Sequence, residues 1–250
     1  MTHVRYATAA APGGVNEDYV IAGPSWVVVL DGATAPRGID SGCVHDVPWL
    51  VRTLATALAA RLDGDERLPD VLAGAIAATV DAHAATCDLD NPNSPSATVA
   101  IARRRGDLLD HLVLCDSAVG LRRRDGTVSV TRDDRLEHLP GGRPYSMELV
   151  ASQRNRPGGF WVASTCPEAA SRALTGSAPV PELCGVALFT DGVTRLADWY
   201  GHPWRELVGG AARDPAALLE LVRQEERAHG TEWGKAHDDA TAAWMSLATT

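Results

Sequence analysis

The stretch Trp26-Val27-Val28-Val29-Leu30-Asp31-Gly32 drives a continuous apolar, β-branched run straight into an acidic residue and a glycine. A run this short and this rich in valine reads as a strand buried on both faces. The aspartate then stands where the sheet ends, and the glycine lets the backbone turn so that its carbonyl points the same way as the aspartate side chain. The device recurs. Gly185 to Thr190 leads into Asp191-Gly192, Asp238-Asp239 precedes the run Ala240 to Leu247, and Asn16-Glu17-Asp18 precedes the β-like segment Tyr19 to Ala22. One Asp-Gly pair alone is a common turn, but a set of acidic residues at strand ends can converge on hard metal ions. Oxygen donors select Mg2+ or Mn2+ over zinc, and two such ions about 4 Å apart can activate a water and hold a phosphoryl oxygen for in-line attack.

Outward from these strands, Val4 to Ala9 reads as a further strand. Val47 to Leu62 places Trp49, Leu50, Leu54, Leu58 and Leu62 at helical spacing, and Pro69 to Thr86 does the same with Val71, Leu72, Ile76 and Val80. Asp63-Gly64-Asp65 is the turn between these two helices. Ala97 to Ala102, Leu109 to Cys115, Val119 to Arg123 and Thr127 to Thr131 read as an antiparallel meander, with Asp125-Gly126 as a hairpin turn. Residues 133–181 are rich in Pro, Gly, Ser and Arg and form a variable, flap-like excursion with short helices around Ser146 and Pro167. Helices follow at Trp204 to Ala212 and Pro215 to His229. Strands and helices come in separate runs, which predicts an α+β layered fold and not a doubly wound parallel sheet.

A chain of 250 residues with 45% hydrophobic content is expected to form one domain, 1–250, with a substantial core. Its formal charge of −9 argues against nucleic acid as a partner. The stretch Met1 to Ala11 lacks the pattern of a signal peptide, and no run reaches the roughly 20 apolar residues of a membrane helix. Neither secretion nor a membrane partner is expected. The five cysteines are isolated, without a CxxC, which predicts a reducing, cytoplasmic setting and argues against a disulfide framework or a zinc knuckle.

Val15-Asn16-Glu17-Asp18, Val27 to Gly32, Ser96-Ala97-Thr98-Val99-Ala100, Leu114-Cys115-Asp116-Ser117, Val130 to Asp134, Leu188 to Val193 and Asp238-Asp239-Ala240-Thr241 follow one another in an order that resembles the type 2C metal-dependent protein phosphatases of the PPM superfamily. The chain is similar to a divergent bacterial member. The resemblance implies a β-sandwich of two antiparallel sheets flanked by helix pairs, with a dimetal site at one end. It also implies two Mg2+ or Mn2+ ions and, with Asp116, a third. Asp31 would bridge the ions, with the Gly32 carbonyl on one of them. Asp191 and Asp238 would bind the other, and Glu17 or Asp18 would serve the first. A hydroxide held between the ions would be the nucleophile, with no covalent phosphoenzyme.

Departures from the family pattern bear on the substrate. Gly13 stands where the family usually has a phosphate-binding arginine, Ala118 where an arginine often follows Asp-Ser, and Cys115 where the family has glycine. Arg5, Arg37, Arg52 and Arg143 are alternative cations, of which Arg37, just beyond Asp31-Gly32, is best placed in sequence for substrate binding. His45, in Gly42 to Trp49, is a candidate proton donor to a leaving alkoxide, with packing against the helix start as the alternative. The expected substrate is a phosphoserine or phosphothreonine protein, or else a smaller phosphorylated metabolite; a catalytically inactive binding module is the third reading.

Overall fold

A computed structural model describes residues 2–33, 38–231 and 234–247. In chain order, β1 (Thr2–Ala9), β2 (Tyr19–Ala22) and β3 (Trp26–Ala33) are followed by α1 (Val47–Leu62) and α2 (Leu68–His83), then by β4 (Ser96–Arg105), β5 (Leu108–Leu114), β6 (Ala118–Arg123) and β7 (Val128–Arg132). After α3 (Met147–Gln153) come β8 (Leu174–Pro179), β9 (Leu183–Phe189), α4 (Asp191–Asp198), α5 (Trp204–Arg213), α6 (Pro215–His229) and β10 (Ala240–Leu247). The strands form two five-stranded sheets, β1-β10-β9-β6-β7 and β2-β3-β4-β5-β8, with every pairing antiparallel. The α+β sandwich expected from the sequence is the fold observed.

The layering explains why β3 is apolar throughout. Successive side chains of a strand point to opposite faces, and both faces of β3 are covered. Val27 and Val29 join the core between the sheets, with Val113, Val186, Leu188 and Met245. Val28 and Leu30 join the layer under α1 and α2, with Leu54, Leu58, Leu72 and Ile76. The other sheet turns Phe189, Ala242 and Trp244 toward α4, α5 and α6, where Val193, Leu207 and Val222 meet them. The α1–α2 turn is pinned from the sheet. The buried Arg103 guanidinium donates to the carbonyls of Gly64 (3.1 Å) and Glu66 (2.6 Å), and Trp26 Nε1 donates to Asp63 Oδ1 (2.8 Å).

The structure corrects the sequence reading in three places. The expected meander divides, because β4 and β5 lie in one sheet and β6 and β7 in the other. The chain changes layers at Cys115-Asp116-Ser117, where Cys115 has φ of +66°, a left-handed conformation that ordinarily favours glycine. The flap-like excursion is also shorter than 133–181, because β8 pairs with β5 from Val113↔Leu174 to Leu108↔Pro179. As an edge strand with mostly exposed side chains and a terminal proline, β8 carries little periodic signal. Finally, Asp191 begins a helix, α4, that the apolar pattern does not announce. Among the described residues, no helix is long and apolar enough to cross a membrane.

Candidate active site

Both sheets contribute strand ends to one acidic cluster. Asp31 lies near the end of β3, opposite Thr98 of β4. Asp18 precedes β2, Asp116 sits where β5 crosses to β6, Asp191 opens α4 after β9, and Asp238 stands just before β10. The charges acting on Asp31 are Asp191, Asp18, Asp116 and Asp238, and the carboxyl groups of Asp31 and Asp191 approach within hydrogen-bonding reach. Asp18 is held by two hydroxyls, since Thr190 Oγ1 (3.0 Å) and Thr241 Oγ1 (2.6 Å) both donate to its Oδ2. Thr190 Oγ1 in turn accepts from the backbone N–H of Thr241 (2.9 Å), locking the end of β9 to the start of β10.

Burial makes these carboxyls reluctant to ionise, and mutual repulsion adds to it. Asp18 and Asp116 are both pushed up to about 7, and Asp31 lies well above the usual carboxylate range. Asp191 is raised as well, by burial and then by Asp238. Lys235 Nζ (2.9 Å) and Arg195 (3.4 Å) reach the cluster through Asp238. Two side-chain cations do not balance so much negative charge. Asp18 Oδ1 and Asp116 Oδ1 are buried without a hydrogen-bond partner, an expensive condition for a carboxylate. An oxygen-only donor set with orphaned, buried oxygens fits hard divalent cations.

The surrounding shell fixes these side chains. Glu226, fully buried on α6, receives Arg195 (2.8 Å), Arg223 (2.9 Å) and His237 Nδ1 (2.7 Å), and Arg195 continues to Asp238 Oδ2. Arg223 also donates to the Asp238 carbonyl (2.7 Å). Asp239 works differently from its neighbour: its oxygens accept from the backbone N–H groups of Ala11 (2.8 Å) and Glu17 (2.6 Å), tying the segment before β2 to β10. Two glycines permit this closeness. A Cβ at Gly192 would lie 1.9 Å from the Asp239 carbonyl oxygen, and one at Gly32 would lie 2.3 Å from Val47 Cγ1 and 2.6 Å from the Glu17 carbonyl oxygen.

Of the adjacent pair, Asp18 carries the carboxylate that the structure buries in the cluster. Glu17 is half-buried, with its backbone turned to Gly32 and Asp239. His45 stacks on Trp49, with centroids 3.9 Å apart and planes at 12°, and lies 6.2 Å from the His83 ring. Its ring contacts are therefore those of the packing alternative. Arg37 falls outside the described residues. Gly13 has φ of +76°, a conformation an arginine would adopt only with strain. Arg5 is committed to the Ala212 and Arg213 carbonyls on the β1 face. Arg143 lines a cleft against the cluster, together with Asp116, Asp191, Arg132, Arg195 and Trp199.

Sequence reasoning missed Glu226, Arg195, Lys235 and the two threonines. For Glu226 a signal existed: Pro215, Leu218, Leu219 and Val222 form the buried stripe of α6, and Glu226 continues it. An acidic residue on such a stripe needs buried cationic partners.

The sequence profile of the protein phosphatase 2C family matches residues 9–223. That match stops before Asp238 and β10, which complete the cluster. No curated protein resembles the chain closely enough in sequence to count as a match. Among solved structures, the serine/threonine phosphatase PstP/Ppp of Mycobacterium tuberculosis is similar at 20% identity and a TM-score of 0.62, over 98% of each chain. The catalytic domain of a serine/threonine protein phosphatase PstP in complex with two manganese ions is similar at 20% identity and a TM-score of 0.58, over 98% of this chain and 99% of that one. PppA of Pseudomonas aeruginosa, described as a key regulatory component of T6SS, is similar at 18% identity and 0.59, over 98% and 97%. These likenesses establish a shared fold. With its own sequence matched over most of its length and with strand-end carboxylates gathered between the sheets, the chain belongs to the protein phosphatase 2C family of metal-dependent phosphatases.

Proposed function

We propose that residues 1–250 work as one unit that hydrolyses phosphoserine and phosphothreonine esters of proteins. Asp31, the Gly32 carbonyl, Asp191, Asp238 and Asp18, with Glu17 beside it, would hold two Mg2+ or Mn2+ ions, and Asp116 with Asp191 a third. The observation that carries this reading is the buried carboxylate cluster, with its two orphaned oxygens, opening onto a cleft that Arg143 also lines. When bound, the ions supply Lewis acidity, which lowers the pKa of a water and draws charge from the phosphoryl oxygens.

The protein's own part is positioning. Thr190 and Thr241 hold Asp18 in one orientation, and the Glu226–Arg195 pair fixes Asp238 from behind. Arg132, on the same cleft, has its charge taken up by Asp198 (2.7 Å) and Glu137, which fix its side chain. Arg143 lies on the flap side of the same cleft and is the group we assign to the substrate phosphate in place of the arginine absent at Gly13. A guanidinium there offers paired, charge-assisted hydrogen bonds to phosphate oxygens. Arg37 is a second candidate for that role. Trp199, stacked under Arg195 at 4.5 Å, gives the cleft an apolar wall for the body of the substrate.

The arginine-free turn at Gly13, whose positive φ suits glycine, favours a second reading, a small phosphorylated metabolite as substrate. Turnover of an aryl phosphate with Mn2+, compared with Asp31→Asn and Asp191→Asn, tests the shared part. Metal-independent turnover, or turnover untouched by both substitutions, would sink it. A phosphopeptide panel set against a phosphometabolite panel, with Arg143→Ala alongside, then separates the two substrates. Arg143→Ala should raise KM for the preferred one.

A further inference from the structure

A second cluster of metal-ligating groups joins the segment before α1 to the turn after α2. Cys43 Sγ lies 3.0 Å from Cys87 Sγ and 3.6 Å from His83 Nδ1. Among the described residues, these three form a set whose donor atoms all lie within 4.8 Å of one another. No CxxC marks these thiols in the sequence; the fold brings them together at the entrance of α1 and the exit of α2.

The junction is built, not incidental. The Asp88 N–H donates to the Gly42 carbonyl (2.7 Å), and Asn91 Nδ2 donates to that of Asp40 (3.2 Å). Gly42 has φ of +67°, and a Cβ there would lie 2.8 Å from Asn91 Cβ, so the two segments meet at backbone distance. The backbone N–H groups of Val44 and His45 are directed at the Cys87 sulfur, and that of His45 also at Cys43. At Cys87 burial is outweighed by the Cys43 contact and these N–H groups, which favour thiolate, the form that binds metal, whereas burial and then the Cys87 contact push the Cys43 thiol up to about 11. His83 is 2% exposed and its Nε2 has no partner. Its other ring nitrogen, Nδ1, is the one turned to the Cys43 sulfur.

We propose that Cys43, His83 and Cys87 form a three-ligand site for a soft divalent cation, zinc by its ligand chemistry, with the fourth position open to water. Two sulfurs and an imidazole nitrogen select zinc over the hard ions suited to carboxylates. Ordinary zinc bond lengths in tetrahedral geometry put sulfurs about 3.8 Å apart and sulfur about 3.6 Å from nitrogen. The sulfur–nitrogen spacing already fits, and the sulfurs need to part by less than ~1 Å. A filled site staples the entrance of α1 to the exit of α2. It thereby anchors the far end of the segment that leaves the acidic cluster at Asp31-Gly32.

The test uses the full chain, freshly purified under reductant and titrated with Co2+ as the probe. Thiolate-to-cobalt charge-transfer absorption should appear with the intense visible bands of tetrahedral coordination, level off at the intensity of one thiolate-bound cobalt per chain and vanish on adding Zn2+. Asp31→Asn should keep the absorption, because the carboxylate cluster contains no sulfur; failure of the phosphatase reading is thus read separately. Cys43→Ser and Cys87→Ser should each lose it. Absence of the charge-transfer band in the reduced, unaltered chain overturns the proposal. So does a mass two hydrogens lighter that persists under reductant, which would make the pair a disulfide. Because the deciding spectrum comes from the unaltered chain, misfolding of a cysteine variant does not blur the outcome.

Discussion

The acidic cluster between the sheets and the Cys43–His83–Cys87 junction at the helix ends are both made by distant segments meeting, yet their chemistries are opposite. One is hard, crowded and electrostatically strained; the other is soft, small and held by backbone contacts. The first lies where strands from both sheets end, so its side chains inherit the rigidity of two β-ladders and the Glu226 network behind them. The second sets His83, the last residue of α2, against two loop cysteines, and its precision comes from Gly42 and the carbonyls that Asp88 and Asn91 engage. A metal would therefore relieve repulsion at the first site and add a covalent-like tie at the second.

The contrast predicts effects of very different size. Asp31→Asn removes the carboxylate at the centre of the acidic cluster, and its kcat on an aryl phosphate with Mn2+ should fall on the order of a thousandfold; a variant within tenfold of the parent would take Asp31 out of the chemistry. Glu226→Ala leaves Arg195 buried without its main partner, a change that costs about 3–5 kcal/mol. Denaturant unfolding measures that loss, and Glu226→Gln should recover part of it, with a Mn2+ affinity closer to the parent's.

Next in size is the response to pH. Asp18 and Asp116 carry folded-state values of about 7 against an ordinary 3.8. Raised values mean that the metal-free folded state binds protons more tightly than the unfolded chain does. The associated stability is fully present below about pH 4 and is lost as pH rises through about 7. Between these limits the metal-free protein should lose on the order of a few kcal/mol from these groups, and saturating Mg2+ or Mn2+ should flatten the curve. A thermal-shift series with chelator or metal reads both; identical slopes would mean that the ions bind elsewhere. The smallest change is expected at the soft end. His45→Ala gives up the stack on Trp49, worth about 0.5–1.5 kcal/mol, and should leave the basic limb of the pH–rate profile in place. Disappearance of that limb would return His45 to the role of proton donor.

What the sequence reveals follows the range of the interactions. Val47–Leu62, Pro215–His229 and Ala240–Leu247 are read to the residue because their patterns are local. The strand-end aspartates are legible for the same reason: an apolar run marks its own end. The parting of β5 from β6 is not, because it depends on which sheet each strand joins. Cys43 and Cys87 lie 44 positions apart, and their meeting depends on α1 and α2 having equal lengths, 16 residues each, whereas the sequence pattern runs the second helix on to Thr86. Arg195 is invisible because its counter-charge comes from another helix. Cys115 was recognised as standing in a glycine's place, and the structure shows the cost in its left-handed backbone.

The hydroxyls that hold Asp18 come from Thr190 and Thr241, 172 and 223 positions further along the chain. During synthesis, the N-terminal carboxylates emerge long before the groups that orient them, and β10 completes the first sheet last. Contacts of such separation form late. A partly made chain would thus carry loose acidic residues and no organised phosphatase centre, so hydrolytic capacity would arrive only with the closing of the final strand.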